Sequence, residues 1–483
     1  MPNLTKELFL NAIECPLRAW FMFRGEGAVA PTLAEQFRME QGLDVHRRAR
    51  SRYPDGMSAA RAGIEEAAAR TQELMADAAV DAIFEATFVT GEYATRADVL
   101  TRSGDAWNLI EIKSSVNDKP ELIDDLAYTA MVMQRTGCTI ASAALLLVSR
   151  DFRLGMEDRD LFASYDHTDD VRTRVTEFSA LANRVAESMR GEARPDGPLI
   201  KECRDCSFFV TECLGAGVTH PIFDLTRLTG PRFERLADAG IVSVNDIPAD
   251  YELTATQERV RGVIVSGEPE IGAGLGNALA EVEWPTYYLD FETFATAVPV
   301  YPDIEPYRTI PMQFSVHVCA ALGDVSAHHE FLAEPGGDPR RGLAERLVEA
   351  LGTDGSIVVY SSYERRILND LASVCPDLAE RLEGFVSRLF DLETVFKQHY
   401  THPDFHGKTS IKVTVPALVP EMSYDGMEIG DGDSASACFA FMVWGRYGAG
   451  EVTDVRRNLL AYCKHDTLAM VRLHERMVQI AYG

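Results

Sequence analysis

YYLDFETF, residues Tyr287–Phe294, is an aromatic and aliphatic run interrupted by two acids at a spacing of two. Such a composition predicts a β-strand. On a strand, residues two apart point to the same side of the sheet, so Asp290 and Glu292 are expected to stand side by side, where two carboxylates repel unless a cation sits between them. With 74 acids in 483 residues, about eleven acid-x-acid pairs arise by chance. The setting therefore carries more than the pair: a hydrophobic strand leads straight into it.

Working outward, SIVVYSS (Ser356–Ser362) reads as a second strand, with Ser362 a candidate N-cap for a helix carrying Tyr363, Glu364, Arg365 and Arg366. Glu364 then falls in the first helical turn beside a strand end, where an acid ordinarily complements the helix dipole. RLFDLETVF (Arg388–Phe396) reads as a third strand bearing Asp391, taken as structural. In LLAYCKHDTLAM (Leu459–Met470) the apolar residues recur at helical spacing, and Tyr462 and Asp466, four apart, share one helix face. Strand-like and helical patterns alternate from about Pro285 onward, as in an α/β domain.

Taken together, Asp-x-Glu on a strand, an acid on a helix and Tyr-x3-Asp on a C-terminal helix resemble the DEDD superfamily of 3′-to-5′ exonucleases in its tyrosine-containing form. The resemblance implies a ribonuclease H-like fold in which Asp290, Glu292, Glu364 and Asp466 hold two divalent ions and Tyr462 orients the attacking water. Two-metal chemistry uses ions about 3.5–4 Å apart, one activating water and one stabilising the departing oxygen. Oxygen-rich ligands suit Mg²⁺ or Mn²⁺. In one departure, the third position is Glu364 where the superfamily more often has Asp, and the Asn that usually precedes it has no match.

Composition sets limits. A chain of 483 residues predicts two or three domains, and 46% hydrophobic content suits buried cores. The first residues lack the pattern of a secretory signal, and the longest apolar run, IASAALLLV, is too short to span a bilayer. A cytoplasmic location and no membrane partner are expected. The net charge of −27 argues against a protein that coats nucleic acid nonspecifically, because phosphate contact needs clustered Lys and Arg. It leaves open an enzyme in which cations, held by carboxylates, meet the phosphate.

In ATRADVLTRSGDAWNLIEIKSS (Ala94–Ser115) the SGD is a predicted turn between two strands, with Asp98 on the first and Glu111 and Lys113 facing the same way on the second. A metal held by Asp98 and Glu111, with Lys113 near the attacking water or the developing phosphorane charge, is what phosphodiester hydrolysis requires. At this spacing the stretch resembles the PD-(D/E)XK nuclease core. Upstream, QGLDVHRRAR (Gln41–Arg50) resembles the G-x-x-x-H element of the RecB-like branch, making His46 a candidate ligand. Where that family has a Gln in the following helix, this sequence offers Thr129.

The nine cysteines suggest reduced thiols or metal ligands. Cys203, Cys206 and Cys213 form C-x2-C-x6-C, and with Cys15 they make four soft ligands suited to tetrahedral zinc or a [4Fe-4S] cluster. One Cys before a PD-(D/E)XK core and three after it resembles the iron-sulfur RecB-like nucleases, the group of the CRISPR-associated exonucleases, and this resemblance favours [4Fe-4S], with structural Zn²⁺ the alternative. Cys138, Cys319, Cys375, Cys438 and Cys463 read as core residues.

Nearly end to end, the chain resembles a bacterial family of uncharacterised two-nuclease fusions. The expected organisation is an α/β multi-domain chain. Residues 1–214 would be an iron-sulfur PD-(D/E)XK restriction-endonuclease-like domain, 215–280 a helical linker similar to helix-hairpin-helix segments or a plain spacer, and 281–483 the exonuclease. The implied partner is nucleic acid, DNA ahead of RNA. The competing expectation is a binding or scaffold protein with one or both sites degenerate.

Overall fold

The SGD turn joins two antiparallel strands in the computed structural model, which describes residues 3–27, 29–215, 217–228 and 230–483. Gly104 makes the tight reversal at φ +61°, a conformation open to glycine at no steric cost. The chain divides into two units, the first comprising Met1–Pro198, Cys206–Phe208 and Thr296–Arg308. Its strands are β1 (Met57–Ser58), β2 (Ala82–Thr90), β3 (Tyr93–Ser103), β4 (Ala106–Lys113), β5 (Ile140–Val148) and β6 (Phe162–Asp166). They form one sheet in sequential order. Strands β2, β3 and β4 are antiparallel, and β4 runs parallel to β5, a pairing that needs a crossover and obtains it from the Pro120–Arg135 helix.

Alternation along the strands feeds two cores. On one face Phe9, from the Lys6–Glu14 helix, meets Tyr93, Tyr128 and Phe178 with ring centroids 5.2–5.9 Å apart. On the other, Val45 and Ala49 of the Leu33–Ala49 helix pack with Phe84, Val99, Ile112 and Leu146. Residues 296–308 join this second core through Ala297, Val298 and Tyr307. The Ala297 amide donates to Gln41 Oε1 (2.6 Å) and the Tyr307 hydroxyl to the Ser114 carbonyl (2.5 Å).

The second unit comprises Leu199–Asp205, Phe209–Ala295 and Thr309–Gly483. Its early part is helical, with a small core of its own around Ile222, Leu225, Phe233, Leu236, Val260 and Val263. Its strands are β7 (Glu270–Ile271), β8 (Thr286–Phe294), β9 (Ile310–Ala321), β10 (Asp324–Leu332), β11 (Ile357–Val359), β12 (Leu389–Asp391) and β13 (Tyr400–Thr401). Five of them form a mixed sheet in the order β10-β9-β8-β11-β12, antiparallel from β10 to β8 and parallel from β8 to β12. β8 is central, and its alternation sorts its side chains. Tyr287, Leu289 and Phe291 enter a core with the helices Arg340–Ala350 and Tyr363–Val374, while Tyr288 enters the opposite core with the long Ala449–Tyr482 helix. The period of two therefore sends Asp290 and Glu292 to the Tyr288 side.

One local expectation is corrected. RLFDLETVF is a strand only over Leu389–Asp391; Asp391 then accepts from the Thr394 amide and starts the Leu392–His399 helix, because a capping carboxylate satisfies amides that a continuing strand would leave without partners. Ser362 is the N-cap residue of the Tyr363–Val374 helix, as expected, and the hydroxyl that accepts from the Tyr363 amide is that of its neighbour Ser361, at 3.0 Å.

Just before β11, Gly355 sits at φ +82°, and a Cβ there would lie 1.8 Å from the Pro285 carbonyl oxygen. Gly355→Ala is expected to destabilise the second unit by about 2–4 kcal/mol, the sum of a left-handed backbone penalty and overpacking against main chain. Gly384, inside the Ala379–Ser387 helix with nothing within 4 Å of the added carbon, should instead gain about 0.4–1 kcal/mol on change to Ala. Urea unfolding of the two variants checks the opposite signs.

Candidate functional site

In the second unit Asp290, Glu292 and Asp466 each offer a carboxylate oxygen, and these oxygens lie within 4.8 Å of one another. β8 supplies the first two, and the long helix is registered against the sheet by a buried polar seam. Thr467, next to Asp466, bonds Ser315 and His317 of β9 at 2.8 Å each, and Ser315 is the cross-strand partner of Asp290. About two turns further along the helix, His474 bonds the Tyr288 hydroxyl at 2.7 Å. A shift of the helix by one residue would break all three bonds.

The acids are held out of water. Burial first, then Asp466, Glu292 and Glu364, push the Asp290 carboxyl well above the usual range. Burial, with Asp466 next, pushes Glu292 up to about 8. The Cys463 thiol donates to Asp290 Oδ2 at 3.5 Å. Like charges this close and this sheltered cost several kcal/mol unless neutralised, so the arrangement suits a divalent ion.

Glu364 stands just outside this trio. It is 4% exposed, accepts from the Ser361 hydroxyl at 3.5 Å, and is raised to about 8 chiefly by burial, with Asp391 adding to it. It influences both Asp290 and Glu292 electrostatically. Tyr462 is buried, and burial with Asp466 beside it raises its hydroxyl far above the ordinary tyrosine value, so it stays protonated.

Two further groups, not anticipated from the sequence, complete the site. Tyr424 donates to Asp466 Oδ1. Lys412 places its ammonium 3.4 Å from the same oxygen, 3.2 Å from the centroid of the Tyr424 ring and 4.4 Å from that of Tyr462. Thr414, in the same short helix, bonds the Tyr360 hydroxyl at 2.7 Å and fixes that helix against the end of β11. Burial lowers the Lys412 pKa while Asp466 opposes the shift. A cavity of about 530 Å³ opens beside these groups, lined among others by Glu292, Thr293, Tyr363, Lys412, Asp431 and Ser436.

In the first unit Glu111 is 2% exposed. Its Oε1 accepts from Lys6 (2.5 Å) and Lys113 (3.0 Å), while Oε2 is buried with no hydrogen-bond partner among the described residues. Burial raises its pKa, but Lys113 and Lys6 outweigh it and the net shift is downward. Lys113 also pairs with Asp125. Asp98 accepts from the Ile112 amide at 2.8 Å and is raised to about 8 by burial and then by Glu111. His46 Nδ1 lies 3.8 Å from Asp98 Oδ1, and burial lowers its pKa. Among the described residues, this set is not one of those whose ligand atoms all fall within 4.8 Å. Thr129 is fully buried and bonds Thr95 at 3.1 Å.

Cys15 and Cys206 lie in the first unit, Cys203 and Cys213 in the second. Cys15 Sγ accepts from the Arg18 amide at 3.5 Å and Cys203 Sγ from the Ile200 amide at 3.4 Å.

Against known families, residues 287–410 match one described as "Domain of unknown function (DUF2779)". The matched stretch carries Asp290, Glu292 and Glu364 and stops before Lys412, Tyr424, Tyr462 and Asp466. No curated protein matches the chain. Among the described residues, no helix is long and apolar enough to cross a membrane.

Proposed function

We propose that the chain is a metal-dependent nuclease whose second unit, read as ribonuclease H-like and of the DEDD type, hydrolyses nucleic acid from the 3′ end. The observation that carries this reading is the meeting of half-buried Asp290 with buried Glu292 and Asp466, mutually repelling, around a point that Lys412 partly neutralises. These three, with Glu364 at the margin, would hold Mg²⁺ or Mn²⁺, which when bound polarises the phosphate and activates water. Tyr462, kept protonated, can donate to or orient the incoming water. Tyr424 fixes the Asp466 carboxylate, leaving its second oxygen for other partners. The Lys412 ammonium is placed to meet a phosphate oxygen as negative charge grows there. The adjoining cavity, within the size range of small-molecule sites, would receive the terminal nucleotide.

For the first unit we propose a PD-(D/E)XK-type core, its ligands drawn from Asp98, Glu111 and His46. The unpartnered Glu111 Oε2 supports it as a ligand atom. A second reading, in which this unit binds nucleic acid without cutting it, is supported by Thr129, whose hydroxyl is spent on Thr95 inside the core. Cys15, Cys203, Cys206 and Cys213 are proposed to hold a structural [4Fe-4S] cluster, with zinc the alternative. The amide N–H groups directed at Cys15 and Cys203 suit thiolates. We place the protein in the cytoplasm.

The test is incubation of the purified full chain with 3′- and 5′-labelled single-stranded and duplex DNA and RNA, with Mg²⁺, Mn²⁺ or EDTA. Stepwise loss from the 3′ end that needs the metal is expected; no cleavage with any metal favours the binding reading.

A pH signature should accompany it. Glu292, near 8 when folded against about 4.3 unfolded, favours the folded state fully below pH ~4.3, and that contribution is lost as pH rises through about 8. A divalent ion replaces the proton and restores it. The rise in unfolding temperature on adding Mn²⁺ is therefore expected to be larger at pH 8.5 than at pH 6; an equal or smaller rise at the higher pH contradicts the assignment.

A further inference from the structure

Outside the acidic centre, the second unit brings His220, Asp224 and His406 together, their ligand atoms all within 4.8 Å of one another. Both imidazoles address one atom: His220 Nδ1 lies 3.0 Å and His406 Nδ1 2.8 Å from Asp224 Oδ2, and the rings stack at 5.0 Å between centroids. Asp224 is buried. We propose that these three side chains form a zinc site that fastens the His220–Asp224 turn to the Pro403–Gly407 loop.

The backbone is arranged for it at some expense. His406 sits at φ +47°, a left-handed conformation that is unfavourable for a non-glycine residue. Gly407 follows at φ +67°, and a Cβ there would lie 1.7 Å from the Asp224 carbonyl oxygen. Only glycine lets the loop press this closely on the turn, and the close approach delivers the His406 ring to the Asp224 carboxylate. On the other side, the short helical turn Ile222–Asp224 brings His220 and Asp224 to the same edge.

Two imidazole nitrogens are borderline donors that favour zinc over Mg²⁺, and zinc readily takes a carboxylate oxygen beside them. Ligands at 2.0–2.1 Å around a tetrahedral ion are about 3.3 Å apart, so separations of 2.8 and 3.0 Å need to open by only a few tenths of an ångström. The His406 side chain is 48% exposed, which leaves a route for the ion and a fourth position for water. The loop it would anchor continues through Thr409, whose carbonyl accepts from Tyr360 at 2.9 Å, into the helix that carries Lys412. The site would thus brace the approach to the acidic centre without being part of it.

Metal analysis of the full-length protein after purification in zinc-containing buffer tests this. Wild type is expected to carry one more equivalent of zinc than His220→Ala or His406→Gly, the latter chosen because glycine keeps the left-handed backbone without strain. Asp466→Asn should retain that equivalent. Replacing zinc with cobalt should give visible d–d absorption from a nitrogen and oxygen ligand set in wild type, absent in both histidine variants, with circular dichroism reporting that each variant is folded. Equal zinc content and identical cobalt spectra in wild type and folded variants would overturn the site and leave a hydrogen-bonded triad only.

Discussion

Asp466→Asn is expected to reduce metal-dependent 3′-end cleavage by more than about 100-fold, the upper range for losing a partner one shell further out, while making the metal-free protein more resistant to unfolding. Both effects have one cause. Asp466 is the largest charge pressing on Glu292 and, after burial, on Asp290. An amide of the same shape removes that repulsion and can still accept from Tyr424, so the fold gains what the ion loses. The trade is the usual one between a strained active centre and stability. Thermal unfolding without divalent ions, set beside the labelled-substrate assay, reads both halves. Lys113→Ala in parallel assigns the activity: cleavage that survives Lys113→Ala and is lost in Asp466→Asn belongs to the second unit. Cleavage by Asp466→Asn within about threefold of wild type would remove the basis of the reading, since a ligand loss costs more than an outer-shell one.

The parts of this centre that were legible in the sequence are those set by periodicity. YYLDFETF alternates, so its acids had to share a face whichever fold contained them; LLAYCKHDTLAM repeats at helical spacing, so Tyr462 and Asp466 had to share another. That the two faces meet depends on the seam of Ser315, His317 and Thr467, which has no local pattern. Lys412 and Tyr424 were missed for a related reason. They come from a short helix and a loop, where no period says which way a side chain points. The clue, had it been used, was a lysine inside an otherwise apolar helical run, IKVTVPAL, since a buried ammonium is rarely left without a partner. Lys6 is the same case in the first unit, a first-turn residue that pairs with Glu111 far along the chain. RLFDLETVF was misread past Asp391 because its apolar spacing fits a strand nearly as well as a helix, and the deciding capping bond is a three-dimensional fact.

Lys412 can act either by supporting the ligands or by meeting the substrate, and Lys412→Met separates the two. The change keeps the length of the side chain and much of its contact with the Tyr424 and Tyr462 rings while deleting the charge. If the ammonium serves the phosphate, turnover falls by about 10²–10³-fold, the loss seen when one preorganised donor is removed from a developing oxyanion. In that case the divalent ion binds at least as tightly as in wild type, because a cation 3.4 Å from Asp466 competes for the same carboxylates and its removal leaves them more negative. If the lysine instead holds Asp466 in place, metal affinity must fall together with turnover. Titration of Mn²⁺ by calorimetry, with turnover measured at saturating metal, distinguishes these outcomes. The geometry favours the first: Tyr424 already fixes Asp466 Oδ1, so the carboxylate keeps its orientation without the lysine, whereas among the described cavity-lining residues Lys412 alone carries a positive charge.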